Sequence, residues 1–231
     1  MLKKVKEGYI IEATTGNMGI SVAAIGARLN KKVTIVIQKG MSEERKKLIQ
    51  LFGAKVITAE NMKKAKEIAK ELAKKKKGVF LNQFENKANF IAHYKAGKKI
   101  ARHFKNLDYF VAGIGTGGTL SGIGKALKER FPKIKIIGVL PKEENHKIEG
   151  IGDNINTPLL NKVKIDKIAK VSSKDAIKTA REIARKEGIA VGISSGANVF
   201  VARKFKGTVL TVLPDSAERY FSTQLFNFGG D

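Results

Sequence analysis

Residues 108–119 of this chain read Asp-Tyr-Phe-Val-Ala-Gly-Ile-Gly-Thr-Gly-Gly-Thr, an apolar run that passes directly into glycines and threonines. The run 108–112 is typical of a buried strand, and residues 120–130 have the apolar spacing of a helix. Glycines at such a turn allow backbone N–H groups to point inward, and the helix start adds a positive dipole end. Because Thr116 and Thr119 add hydroxyl donors, the stretch 113–119 predicts a phosphate-binding loop rather than a purely structural turn.

The glycines at positions 113, 115 and 118 also match the dinucleotide pattern G-x-G-x-x-G. An NAD site would need an acidic residue after the next strand, where it binds a ribose hydroxyl. That strand ends Gly138-Val139-Leu140-Pro141, without an acidic residue. The sequence therefore favours a mononucleotide or a phosphorylated cofactor over NAD.

Short apolar strands alternate with helical stretches along the whole chain. Strand followed by helix in this order predicts an α/β fold with parallel sheets and crossover helices. A polar segment at 82–96 separates two groups of strands, which predicts two sheets in two domains, 1–88 and 89–231. The strands are predicted at 9–13, 32–37, 55–58, 79–81, 108–112, 134–139, 165–171 and 209–213, and the helices at 19–29, 42–52, 61–75, 89–104, 120–130 and 173–187.

The composition excludes several classes of protein. The 231 residues include no Cys, which rules out disulfides, thiolate nucleophiles and Cys-ligated metal sites. No stretch approaches the roughly 20 apolar residues of a membrane-spanning helix, and the first residues lack the apolar core of a signal peptide. We therefore expect a cytoplasmic protein without a membrane partner. His93, His103 and His146 have no metal-ligand spacing, so no metal site is predicted.

The formal net charge is +24, which would attract nucleic acid or other anions. Only eight of the 45 basic residues are Arg, the side chain best suited to reading bases and phosphates. Lysine mainly solvates a surface and is abundant in proteins that work at high temperature. We therefore favour a biased composition over a dedicated nucleic-acid-associated protein, which stays the less favoured alternative.

Two further loops combine small and hydroxyl residues before a helix. Residues 14–19, Thr-Thr-Gly-Asn-Met-Gly, could hold a carboxylate through backbone N–H groups and hydroxyls, and Asn17 could contact a ligand edge. An ordinary Thr or Asn helix cap would explain half of this pattern. For residues 192–197, Gly-Ile-Ser-Ser-Gly-Ala, capping of the following helix is the better explanation of the loop taken alone.

Six segments in this order resemble the cysteine synthase (O-acetylserine sulfhydrylase) family of pyridoxal-phosphate enzymes, fold type II. Each segment is weak evidence alone, but six in register over almost the whole chain are very specific. The resemblance implies a tryptophan synthase β-like architecture of two three-layer domains, a small first one that lacks its first strands and helices and a larger cofactor-binding one. The segments are 14–19, 83–84, 113–119, 146–152, 192–197 and 213–220.

The resemblance also implies pyridoxal 5'-phosphate as the cofactor and assigns its contacts. Asn17 would bond the 3-hydroxyl of the pyridoxal ring, and Ser194 would face the pyridine nitrogen. The cofactor phosphate would be bound by Gly115, Thr116, Gly117, Gly118 and Thr119.

The substrate residues follow from the same resemblance. The loop that begins at Thr14 would hold the substrate carboxylate together with Gln83, and residues 150–151 would line the mouth of the pocket. Met18 departs from the family, which usually has Thr at that position. The predicted substrate residues are Thr14, Thr15, Gly16, Met18, Gln83, Gly150 and Ile151.

The family reaction replaces the acetoxy group of O-acetylserine with sulfide and gives cysteine. The Schiff-base lysine of the family lies in a Ser-x-Lys segment well before the loop that corresponds to residues 14–19, whereas only 16 residues precede Asn17 here. Lys3, Lys4 and Lys6 lack that context, so we expect no catalytic residue in this chain. The protein is expected to be inactive or to depend on a missing N-terminal segment, with the cofactor non-covalent or not bound. The alternative is a non-catalytic homologue that binds the cofactor or an amino acid.

The same expectation predicts a protein partner besides the amino-acid substrate. A missing leader that bares about 1,000 Å² of apolar surface, at about 25 cal/mol per Å², would cost up to roughly 25 kcal/mol, whereas a domain has only about 5–15 kcal/mol of net stability. We therefore expect a homodimer that covers this surface, or a complementing N-terminal fragment that also supplies the lysine.

Overall fold

The chain forms two compact units in a computed structural model that describes residues 2, 5, 8–152 and 157–229. The first unit contains residues 1–86 and 219–226, and the second contains residues 87–218 and 227–231. Each unit has its own four-stranded parallel sheet, which confirms the predicted α/β fold with two sheets. The assignment of 1–88 and 89–231 to two domains stays a prediction. Lys3, Lys4 and Lys6 lie outside the described residues.

The first unit is a three-layer arrangement around the strand order β3-β2-β1-β4. Alternate strand residues point to opposite faces of a sheet: Ile10 and Ile35 join one core cluster, and Ile11 and Val36 join another. Helices α1 and α2 supply the first cluster and α3 the second, so both faces are covered. The elements are β1 (Ile10–Thr14), α1 (Asn17–Arg28), β2 (Val33–Gln38), α2 (Glu43–Leu51), β3 (Lys55–Ala59), α3 (Met62–Lys75) and β4 (Val79–Phe80).

The second unit repeats this plan with the strand order β7-β6-β5-β8. Helices α4 and α5 pack on one face through a cluster that includes Phe110 and Leu120. Helix α7 packs against the same strands without contributing to that cluster, so it covers the opposite face together with α6. The elements are α4 (Lys87–Ala101), β5 (Tyr109–Gly113), α5 (Gly118–Arg130), β6 (Lys135–Pro141), β7 (Lys167–Val171), α6 (Ser173–Glu187), α7 (Ile193–Ala202) and β8 (Val209–Thr211).

Two amphipathic helices begin and end at residues with a clear local cause. Asn61 accepts a hydrogen bond from the Lys64 N–H at the start of α3 (2.9 Å), and Ser172 accepts one from the Asp175 N–H at the start of α6 (3.0 Å). Helix α6 ends at Glu187, because the C-cap residue Gly188 has a left-handed φ of 68°. Among the described residues, no helix is long and apolar enough to cross a bilayer.

The strand order places one switch point in each sheet. The chain builds outward from β1 to β3 and then returns to the other side of β1 with β4; β5 and β8 have the same relation. In open α/β sheets, ligands bind beyond the carboxyl ends of the strands at such a point. The loops in question are 15–16 after β1, 81–86 after β4, 114–117 after β5 and 212–216 after β8.

Candidate functional site

The loop between β5 and α5 has the construction of an anion site. Helix α5 begins at Gly118, two residues earlier than predicted, with Gly117 as its N-cap in the left-handed conformation (φ 80°). The Gly118 N–H donates to Thr116 Oγ1 (3.3 Å). Within the described part of the chain, no hydrogen bond uses the backbone N–H groups of Gly115, Thr116 or Gly117. Three unused donors beside a helix N-terminus fit the oxygen atoms of a phosphate group.

Close packing explains why glycine is needed in this loop. A Cβ atom on Gly115 would lie 2.3 Å from the carbonyl oxygen of Gly150, and one on Gly118 would lie 2.2 Å from Asn89 Oδ1. Both distances are far inside van der Waals contact. Gly150 and Asn89 therefore pack closely against the outside of the loop, and this packing keeps the N–H groups of the loop in place for a ligand.

Polar side chains from distant parts of the second unit fix the loop further. Asn89 on α4 donates Nδ2 to Thr116 Oγ1 (3.0 Å), and Thr157 donates Oγ1 to the Thr116 carbonyl (2.6 Å). Ser121 donates Oγ to the Gly117 carbonyl (2.7 Å). Sequence reasoning missed Asn89 and Thr157 because they lie 27 and 41 residues from their partner, beyond the reach of any local motif.

His93 lies next to the last residue of the predicted phosphate loop. Its Nε2 atom is 3.3 Å from Thr119 Oγ1. Burial lowers the pKa of His93, so the ring is neutral near pH 7. A neutral ring holds the Thr119 hydroxyl without adding a positive charge, so the loop depends on backbone donors and the helix dipole for its attraction to anions.

The predicted mouth residues pack directly against the phosphate loop. A Cβ atom on Gly113 would lie 2.5 Å from Ile151 Cγ2, and the Gly152 N–H donates to the Ile114 carbonyl (2.8 Å). Ile151 is buried, while Gly150 is exposed and has a φ of 89°. The second unit therefore brings residues 150–151 and the predicted phosphate loop together.

Ser194 is buried in the first turn of α7. The capping explanation of this loop is wrong, since Gly192 occupies the N-cap and no side chain caps the helix. One turn later, Asn198 donates Nδ2 to the Val212 carbonyl (2.8 Å). Its Oδ1 atom is buried and has no hydrogen-bond partner among the described residues, which makes it a site for a donor from a ligand or a water molecule.

The second predicted loop, after β1, is also not built as a helix cap. Gly16 is the N-cap of α1, with a φ of 137°, and no side chain caps the helix. Instead, the Gly16 N–H donates to Thr14 Oγ1 (3.0 Å). The partly buried side chain of Met18 packs on the core cluster of the first unit.

Gln83 lies at the carboxyl end of the same sheet as this loop. It donates Nε2 to the carbonyl of Ala13 (2.9 Å), the residue before Thr14. Its own N–H is 3.4 Å from Glu12 Oε1. The first unit therefore brings Gln83 to the loop that contains Thr14, Thr15 and Gly16, as the shared switch point requires.

Glu12 is a residue that sequence reasoning missed. Its carboxyl group is fully buried in the centre of the first sheet, and Oε2 has no hydrogen-bond partner in the described residues. Burial raises its pKa to about 8, against the hydrogen bonds from Gln83 and Ala13 and the charge of Lys66. The available signal was an acidic residue inside an otherwise apolar strand, Ile10-Ile11-Glu12-Ala13.

The predicted site residues thus form two groups, one in each unit. The first unit brings together the polar loop after β1 and the buried amide of Gln83. The second unit contains the predicted phosphate loop with its threonine hydroxyls. The first group contains Thr14, Thr15, Gly16, Asn17, Met18 and Gln83, and the second contains Gly115, Thr116, Gly117, Gly118, Thr119, Gly150, Ile151 and Ser194.

Comparison with known proteins agrees with this construction. A family model described as "Pyridoxal-phosphate dependent enzyme" matches residues 1–215. Cysteine synthase B of Campylobacter jejuni is 48% identical over 94% of this chain and 79% of its own length. A cysteine synthase of Staphylococcus aureus is 40% identical over 97% of this chain and 80% of its own length.

A solved structure shows the same fold. The O-acetylserine dependent cystathionine beta-synthase from Helicobacter pylori is 35% identical, with a TM-score of 0.90, and covers 94% of this chain and 78% of its own. The two four-stranded parallel sheets are therefore those of fold type II, and the cofactor of the family is pyridoxal phosphate. By sequence and by fold, the chain belongs to the cysteine synthase family of pyridoxal-phosphate-dependent enzymes.

Proposed function

We propose that this chain serves the replacement of the acetoxy group of O-acetylserine by sulfide, which gives cysteine. The cysteine synthases of Campylobacter jejuni and Staphylococcus aureus support this reaction class by their identity to the chain. The observation that carries the proposal is the row of unused N–H donors at Gly115, Thr116 and Gly117, which suits a phosphorylated cofactor.

In this proposal the second unit holds the phosphate and the ring nitrogen of the cofactor. Residues 115–119 bind the phosphate through backbone N–H groups and the hydroxyls of Thr116 and Thr119. Ser194 faces the pyridine nitrogen as a neutral partner. When bound, pyridoxal phosphate supplies an electron sink for carbanion chemistry, and the protein supplies binding, orientation and electrostatics.

The first unit holds the ring oxygen and the substrate in the same proposal. Asn17 contacts the 3-hydroxyl of the ring, and Gln83 binds the substrate carboxylate with Thr14, Thr15, Gly16 and Met18. The Gly16 N–H donates to Thr14 Oγ1 (3.0 Å), which leaves the hydroxyl hydrogen of Thr14 to donate to another acceptor. Gly150 and Ile151 line the mouth of the pocket.

The proposal is tested by titration of the purified chain with pyridoxal 5'-phosphate, followed by an assay for cysteine from O-acetylserine and sulfide. We expect saturable binding that inorganic phosphate displaces. Borohydride reduction and mass analysis then test the prediction that no lysine of this chain forms a Schiff base, because covalent attachment to one lysine would contradict it. A chain that does not bind the cofactor at all would overturn the proposed function.

Gly115→Ala is expected to weaken the binding of pyridoxal 5'-phosphate about thirtyfold, the equivalent of about 2 kcal/mol. The new Cβ atom would meet the Gly150 carbonyl oxygen at 2.3 Å, so the loop must shift and its N–H donors move out of line. The matched control is Gly124→Ala in α5, whose Cβ atom would make ordinary contacts of 3.4–3.6 Å with Ile136. Equal affinities of the two variants would refute the assigned role of the loop.

We also infer self-association of the chain into a homodimer. The support is apolar surface on the first unit: Ile25 is 46% exposed, Leu29 is 42% exposed and Leu51 is 75% exposed. Ile25 in α1 and Leu29 at its C-cap are four residues apart and so lie on one side of the helix. Sedimentation velocity at several concentrations tests this inference, and a monomer at every concentration would contradict it.

A further inference from the structure

The segment 219–226 belongs to the first unit although it follows the last strand of the second. We call it the return segment. Its first residue, Arg219, donates Nη1 to Asn17 Oδ1 (2.8 Å), a partner 202 positions earlier in the chain. The return segment therefore reaches the one residue of the first unit that is assigned to the cofactor ring.

The bond between Arg219 and Asn17 orients the Asn17 amide, with Oδ1 toward Arg219. A guanidinium group has only donors, so the atom it contacts must be the carbonyl oxygen of the amide. The Nδ2 group of Asn17 is then directed away from Arg219. This contact opposes an exchange of the two nearly isosteric ends of the amide.

The chemistry of the pyridoxal ring makes this orientation matter. The 3-oxygen of the ring is a phenol that ionises, and in its ionised form it only accepts hydrogen bonds. An Asn17 amide that presented Oδ1 would place an acceptor against an acceptor, whereas one that presents Nδ2 supplies the donor. A donor also favours the ionised form of the oxygen and so lowers its pKa.

Arg45 fixes the return segment in place. Its side chain is buried, and Nη2 donates to the Tyr220 hydroxyl (2.7 Å) while the guanidinium lies 4.4 Å from the centre of the Tyr220 ring. Arg45 Nη1 donates to Ser42 Oγ (2.9 Å) and lies 3.4 Å from the Arg219 carbonyl oxygen. Tyr220 is fully buried and is held by Arg45, so a displacement of the adjacent Arg219 would break these contacts.

A second anchor lies two residues further on. The hydroxyl of Ser42, at the N-cap of α2, accepts from Arg45 and makes no capping bond to the helix. Ser222 takes over that role: its Oγ accepts from the Glu43 N–H (3.3 Å) and donates to Glu44 Oε2 (2.7 Å). Ser222 thus supplies the hydroxyl at the start of α2. The return segment is therefore held at Tyr220 by Arg45 and at Ser222 by the first residues of α2.

We propose that Arg219 is a positioning residue, which fixes the Asn17 amide so that Nδ2 faces the 3-oxygen of the cofactor. This inference rests on the proposed function, because it assumes that Asn17 meets the ring. It assigns a role in cofactor orientation to Arg219, which belongs to the family segment 213–220 but to which the resemblance gave no contact.

The test compares Arg219→Gln with Arg203→Gln in the full chain. Arg203 is an exposed residue that pairs with Glu182 (2.8 Å), so its replacement removes the same charge without touching Asn17. We expect Arg219→Gln to weaken the binding of pyridoxal 5'-phosphate about tenfold, and to raise the pKa of the bound 3-hydroxyl, read from its absorbance. Arg219→Lys, which is also donor-only, is expected to restore part of both.

A double-mutant cycle separates positioning from general loss of structure. In an Asn17→Ala background, Arg219→Gln is expected to change neither the affinity nor the pKa of the 3-hydroxyl. An unchanged pKa of that hydroxyl in Arg219→Gln, with wild-type binding intact, would overturn the positioning role and leave the proposed function standing. Failure of the wild type to bind the cofactor would overturn both, and circular dichroism identifies a variant that does not fold.

Discussion

Gly16→Ala is expected to lower the free energy of unfolding of the first unit by about 4 kcal/mol, the sum of backbone strain and overpacking. At a φ of 137°, a residue with a Cβ atom is strained whatever surrounds it. The new atom would also lie 2.0 Å from Arg45 Cδ and 2.6 Å from Arg45 Nε. Arg45 cannot move aside easily, because Tyr220 and Ser42 hold its guanidinium.

The measurement is urea unfolding followed by circular dichroism, since the chain has no Trp to report by fluorescence. Hydrogen exchange of peptides from β1 and α1 shows whether the loss is local. The control is Gly40→Ala in the same unit, where φ is 84° and no atom lies within 4 Å of the new Cβ. That variant has the strain without the clash and should cost about 1–2 kcal/mol.

The clash with Arg45 can be isolated by a second substitution. Arg45→Ala removes the atoms that Gly16→Ala would meet, and by itself it leaves the buried Tyr220 hydroxyl without this donor. The double variant is therefore expected to lose less than the sum of the two single losses, with a coupling of about 2 kcal/mol. Additive losses would show that Arg45 does not fill the space behind the loop.

The phosphate loop was predictable because its cause is local. Four glycines and two threonines between an apolar run and a helix act through backbone geometry within seven residues. The same holds for the strands, since Ile10 and Ile11 go to opposite faces by the two-residue period of a strand. The start of α5 at Gly118 was missed because glycine has low helix propensity. A glycine is required at this position because a side chain there would collide with Asn89.

The supporting residues were not predictable because their partners are far away in the sequence. Arg45 and Tyr220 are 175 residues apart, and Arg219 and Asn17 are 202 apart. No local pattern distinguishes Arg45 from the other basic residues of a chain with 45 of them. Ser42 illustrates the result: it stands at the N-cap, yet its hydroxyl serves Arg45 and a serine from the return segment replaces it.

Glu12 links the stability of the first unit to pH. Its carboxyl group is protonated in the folded chain up to a pKa of about 8, because burial opposes its charge, whereas in the unfolded chain it ionises near 4.5. Between these values the folded state binds more protons than the unfolded state, so the free energy of unfolding falls as the pH rises. Below about pH 4.5 and above about pH 8 both states carry the same charge at this position and the dependence stops.

Glu12→Gln is therefore expected to abolish a decrease in stability of about 5 kcal/mol between pH 4.5 and 8. Gln keeps the shape of the protonated acid and can accept the Gln83 N–H, so the variant should match the wild type at pH 5 and exceed its stability at pH 8.5. The control is Glu182→Gln: bonds from Arg203 and Lys186 lower the pKa of Glu182 to about 2, so it stays ionised throughout this range. Urea unfolding at five pH values decides the matter, because parallel curves for wild type and Glu12→Gln would mean that Glu12 is ionised in the folded chain.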